Sequence, residues 1–113
     1  MTARLTSKLL ATALIRRAEA EGGFGTVIAR GDPGAGAILI VVTQRGDFRA
    51  VMERSLDAEG KYCWLARGPE EGLEEPELVN FLQKKREIDP DLWIIELDIA
   101  AAERFIEETG TGV

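Results

Sequence analysis

Six consecutive residues, Ala37 to Val42 (AILIVV), carry no polar side chain. A surface helix shows a polar face every 3.6 residues and a half-exposed strand shows one every second residue, so this run has no side to turn to water. Its isoleucines and valines and the glycines before it favour a strand over a helix. Counted from Ala35, with Gly36 inside it, the run is still far short of the roughly 20 residues that cross a bilayer. It therefore belongs at the centre of a sheet, and the rest of the chain must supply its neighbours and covers.

The rest divides readily. Between Ser7 and Glu21 the apolar positions Ala11, Leu14, Ile15 and Ala18 share one helical face, after Thr6 or Ser7 as N-cap. Gly22-Gly23 predicts its end, because glycine accepts the left-handed backbone of a C-terminal cap. Strand-like runs follow over 25–30, 37–44, 48–54 and 61–66, separated by GDPGAG, RGD and DAEG, all rich in turn formers. The third run is expected to face water on one side, with Arg49 and Glu53 alternating against Phe48 and Met52. An acidic linker, RGPEEGLEE, leads to a helix from Pro76 whose Leu78, Phe81, Leu82 and Lys85 share a face. That helix stops before Asp89-Pro90, since the residue ahead of a proline is pushed out of the α region. A strand, Leu92 to Leu97, a short helix around Ala100 to Glu107 and a Gly-Thr tail complete the chain. The pattern predicts one α+β domain: an N-terminal helix, a four-strand antiparallel meander, a helix, a fifth strand and a short helix, with helices on one face of an antiparallel sheet of about five strands.

Composition narrows the chemistry. Fourteen basic against twenty acidic residues give a net charge of −6 over 113 residues, which disfavours nucleic acid and anionic membrane as partners. There is no histidine, so no Ser-His-Asp or Cys-His arrangement and no imidazole metal site exists. The single cysteine, Cys63, forms no internal disulfide, and no signal-peptide pattern opens the chain; a cytoplasmic location is the expectation. Trp64 and Trp93 are expected in the core. No motif implies a cofactor or a metal.

Several stretches invite a functional reading beside a plain one. Arg30-Gly31-Asp32 and Arg45-Gly46-Asp47 share the adhesion tripeptide, but glycine and aspartate between strands serve chain reversal, and both copies are read as loops at opposite ends of the second strand. GDPGAGA can form a nest of N–H groups for an anion. However, it leads into a strand, lacks the Lys-Ser/Thr pair of a phosphate loop and carries Asp32, so it is read as a turn. Arg16 and Arg17 are either solvated helix charges paired with Glu19 and Glu21 or, with Arg4 or Arg30, an anion site. Asp89 and Asp91 are either turn acceptors or a carboxylate pair. Glu96 stands in an otherwise apolar strand; facing the core it requires a partner, for which Arg16, Arg17 and Arg30 are the available cations.

The stretches RLTSKLLATALIRRAEAEGGF, RGDPGAGAILIVV, YCWLARG and DPDLWIIELD together resemble a family of small uncharacterised bacterial proteins of alphaproteobacterial type, a domain of unknown function. The likeness spans nearly the whole chain. It rests on Ala13 to Arg17, on Gly31, Asp32, Ala35, Gly36 and Ala37, on Trp64, and on Asp89 to Trp93 with Glu96. It implies a compact stand-alone cytoplasmic protein and no particular activity, cofactor or partner.

The resulting expectation is a noncatalytic binding or assembly module whose candidate ligand surface comprises Arg16, Arg17, Arg30, Asp32, Asp89, Asp91 and Glu96. A small sheet has open edges, so a homodimer or another protein is the expected partner. The competing reading is a small histidine-free enzyme using carboxylates and arginine on an anionic or sugar-like substrate.

Overall fold

Seven elements follow one another in the computed structural model: α1 (Ser7–Ala20), β1 (Phe24–Ala29), β2 (Ile38–Gln44), β3 (Asp47–Leu56), β4 (Tyr62–Arg67), α2 (Glu75–Ile88) and β5 (Trp93–Asp98). Residues 6–56, 58–60, 62–67, 74–102 and 104–105 are described; Arg4, residues 68–73 of the linker and the Gly-Thr tail lie outside them.

The ends of α1 follow its sequence signals. The Thr6 side-chain oxygen accepts from the Leu9 N–H at 3.2 Å. At the other end Gly22 adopts φ +88°, and the N–H groups of Gly22 and Gly23 donate to the carbonyls of Glu19 and Ala18 at 3.1 and 2.9 Å. These are the two bonds of a Schellman cap. In α2, Pro76 stands in the first turn beside Glu75 and Glu77, Lys85 and Arg86 stand in the last, and the helix ends one residue before Asp89-Pro90.

The five strands form one sheet in the order β1-β5-β2-β3-β4. The four-strand meander and the purely antiparallel sheet expected from the sequence are thus corrected. The last strand enters between the first two, antiparallel to β1 and parallel to β2, while β2-β3 and β3-β4 are antiparallel neighbours. The physical reason lies in composition. WIIELD, like AILIVV, is apolar in both directions, and an interior position buries both sides of such a strand. All six residues of β5 except Glu96 are buried.

The helices lie on opposite faces, correcting the expectation of one covered face. On one side Ala11, Leu14 and Ala18 of α1 cluster with Ile38, Ile40 and Val42 of β2, Trp93, Ile95 and Leu97 of β5, and Met52 and Trp64. Ala102 and Phe105, both helical and buried, close this layer. On the other side Leu82, with Leu78 and Phe81, covers Leu39, Val41, Val51 and Ile94. Two strands without a polar face need two lids, and α1 and α2 provide them.

The third strand also departs from its expected single wet face. Its pairing with β2 slips between Val42 and Thr43, so that Ala50 and Phe48 are successive partners and Arg49 is extra. This bulge flips the alternation. Phe48 consequently packs beneath α2, Met52 packs beneath α1, and Val51 and Met52 are both buried. Glu53 accepts from Lys85 Nζ of α2 at 3.0 Å.

Candidate functional site

Because β5 occupies the slot between β1 and β2, the segment joining those two strands must cross the start of β5. That segment is RGDPGAGA, and the crossing explains its glycines. A Cβ on Gly31 would fall 2.0 Å from the Asp91 carbonyl oxygen, and one on Gly36 would fall 2.2 Å from the same atom. The Asp32 N–H donates to that carbonyl at 3.0 Å, and the Trp93 indole Nε1 donates to the Asp32 carbonyl at 2.7 Å.

The loop's N–H groups are also committed. Gly34 and Ala35 donate to the Asp32 carboxylate at 3.2 and 2.9 Å, so the chain's own aspartate fills the nest that an anion would take. Its carbonyls turn toward α1: Pro33 and Gly34 accept the N–H groups of Lys8 and Ser7, and Gly36 accepts the Ser7 hydroxyl. The loop thereby satisfies the otherwise unpaired first turn of the helix. Asp89 likewise accepts from the Asp91 N–H at 3.1 Å, and Arg86 Nη1 donates to the carbonyls of Arg30, Pro90 and Leu92 at 3.1, 2.7 and 2.7 Å.

The seven candidate site residues therefore fall in three places. Arg30, Asp32, Asp89 and Asp91 gather at this junction. Arg16 and Arg17 stand exposed on α1, where Arg17 reaches Glu21 at 3.6 Å and its guanidinium lies 5.2 Å from the Phe105 ring centre. Glu96 is five residues further along β5 than Asp91, about 16 Å at the rise of a strand, and faces α2.

Around Glu96 a second group forms. The Thr43 hydroxyl lies 3.0 Å from Glu96 Oε2 and 3.2 Å from Asp98 Oδ2. This hydroxyl, rather than Arg16, Arg17 or Arg30, is the partner Glu96 finds. Asp98 Oδ1 and Oδ2 accept the N–H groups of Arg45 and Gly46 at 3.0 and 2.8 Å. Those two residues, with φ of 53° and 84°, form the tight β2-β3 turn, so the second Arg-Gly-Asp copy is a hairpin. The first copy is a crossing loop, and both flank β2 as the sequence implied. Asp98 and Thr43 were absent from the sequence-derived set. The spacing Glu96-x-Asp98, which puts both carboxylates on one face of a strand, was the available signal.

Glu96 opens into a hollow of about 500 Å³ bounded by Ile28 of β1, Thr43 and Val41 of β2, and Glu75 and Val79 of α2. A second hollow of about 590 Å³ continues it along β1, past Ile28, Ala29, Val79, Arg86 and Ile94. The two make one groove between the edge strand and α2, with Asp47, Glu75 and Glu96 in one hollow and Arg86 beside Glu87 in the other. Along this edge β1 exposes Phe24 and Ile28 at 54% and 48% and, on the α1 face, Val27 at 36%. Among the described residues no group of three or more Asp, Glu or Cys side chains is placed to hold a metal, and no helix is long and apolar enough to cross a membrane.

Comparison with known proteins bears on what this architecture is. A family model described as a protein of unknown function, DUF1491, matches residues 5–107. The crystal structure of a DUF1491 family protein from Caulobacter crescentus superposes with a TM-score of 0.77 at 31% identity, covering 86% of this chain and 90% of that one. An NMR structure of a DUF1491 family protein from the same organism gives 0.75 at 31% identity, over 89% and 91%. The solution structure of Atu0922 from A. tumefaciens gives 0.71 at 30% identity, over 85% and 86%. No curated protein matches the chain. The match over residues 5–107 and the likeness to these solved structures place the chain in the DUF1491 family of proteins of unknown function.

Proposed function

We propose that this protein is a noncatalytic binding or assembly module that works through the open edge of β1 and the groove beside it. The carrying observation is that an edge strand of six residues exposes three large apolar side chains, Phe24, Val27 and Ile28. An edge strand also presents a row of backbone donors and acceptors that another strand can complete. Apolar side chains on such an edge add the burial that makes pairing favourable.

The polar groups nearby support binding over catalysis. Both oxygens of Asp98 hold the 45–46 turn, and Thr43 is buried with its hydroxyl turned to two carboxylates. Neither is poised for a nucleophilic or general-acid step, which needs a reactive group aimed at a substrate. At the loop junction the aspartates are acceptors for backbone N–H groups in the same way.

The test is in-cell photocrosslinking from two positions. A photoreactive residue at position 28 is expected to give specific protein adducts, while one at Leu65, on the opposite edge strand, gives none. Adducts from position 65 alone, or from neither position, would overturn the assignment of the β1 edge.

A further inference from the structure

Resting on that reading of the β1 edge, we infer that its occupant is a second copy of this chain, paired antiparallel through β1 about a twofold axis that also aligns the two α1 helices. In a twofold interface each residue contacts its symmetry counterpart's neighbourhood, so the surface must be complementary to itself turned end for end. Two independent elements meet that condition here.

The first is α1. Lys8, Thr12, Ile15 and Glu19 follow one another at i, i+4, i+7 and i+11, a single stripe along the helix. The stripe flanks the buried face formed by Ala11, Leu14 and Ala18. It lies on the β1 side, because a Cβ on Gly25 of β1 would meet Ile15 at 2.8 Å, whereas Arg17 on the other flank faces Phe105. Turned end for end, the stripe sets Lys8 of one copy against Glu19 of the other and Thr12 against Ile15, with both charged pairs opposite in sign. The second element is β1 itself, whose exposed apolar side chains Phe24 and Ile28 stand two residues to either side of Thr26. Antiparallel self-pairing about Thr26 brings Phe24 of each copy beside Ile28 of the other.

Both elements accept the same axis. From the glycine turn at 22–23, the middle of α1 near Ala13 lies about 14 Å back along a helix rising 1.5 Å per residue. The middle of β1, at Thr26, lies about 12 Å forward at strand rise. A single twofold through both midpoints therefore registers helix with helix and strand with strand. A six-residue strand pair alone falls well below the roughly 1,200 Å² of a stable interface, and the α1 stripe supplies further contact. The net charge of −6 on each copy opposes association, so the apolar side chains of β1 must supply the attraction and the charged stripe the register.

Sedimentation velocity of the full chain across micromolar concentrations tests this directly. A reversible dimer is expected. Lys8→Glu and Glu19→Lys, both at exposed helix positions, should each weaken it by about tenfold or more, since like charges then face each other twice. Mixing the two variants should restore association, because every pair is again opposite in sign. A monomer at all concentrations overturns the inference, and so does a dimer indifferent to the swap. Adducts from position 28 to a different protein, with a monomeric purified chain, would retain the binding edge and remove only the second copy.

Discussion

The residues that look most like recognition chemistry are those that hold two loops together. Gly31 and Gly36 close on the Asp91 carbonyl from two sides, and Trp93 and Asp32 add a hydrogen bond each. Replacing Gly31 by alanine pushes a methyl group into that oxygen, and the backbone cannot move without opening the crossing. We expect Gly31→Ala to lower unfolding stability by about 1–3 kcal/mol in urea titration, the usual cost of overpacking a closed site. The sequence reading assigned turns to these residues correctly, because glycine and aspartate report on the local backbone. It could not show that Asp91 is what the glycines approach, since that contact spans sixty residues of chain. The same limit hid the role of Asp98: its spacing from Glu96 puts both carboxylates on one strand face, but nothing local announces that Asp98 will cap a turn more than fifty residues earlier.

At the level of elements, both helices and all five strands were legible because each is written in short-range periodicity and punctuation. The bulge at Arg49 was not. Its sequence alternates smoothly, and only the pairing with Thr43 and Val42 shows the extra residue. The β2-β3 hairpin beside it depends on a tertiary contact. Its Arg45-Gly46 turn keeps two N–H groups on the carboxylate of Asp98, a residue only 9% exposed. Asp98→Ala removes the acceptor from both donors and leaves the Thr43 hydroxyl with Glu96 alone. A loss of about 1–3 kcal/mol is expected, as for other partly buried groups deprived of a partner. Amide exchange at Arg45 and Gly46 should rise with it, which separates loss of the turn from general loosening.

For the whole molecule, the strand order was the part the sequence withheld, although two clues to it were present. LWIIEL is as apolar on both sides as AILIVV, and an eight-residue segment is longer than a hairpin between neighbouring strands requires. Both point to a strand position left vacant between β1 and β2. The filling of that position by residues 93–98 governs when the protein can exist at all. As the chain emerges during synthesis, β1 has no neighbour to bond and one side of β2 stays bare until residues 93–98 leave the ribosome. Non-local closure of this kind also slows folding. A polypeptide halted after Asp91 should show no cooperative thermal transition by circular dichroism, and addition of a synthetic peptide spanning 92–105 should recover one. Maturation is then a single late insertion, and a nascent chain without it is raw material for degradation.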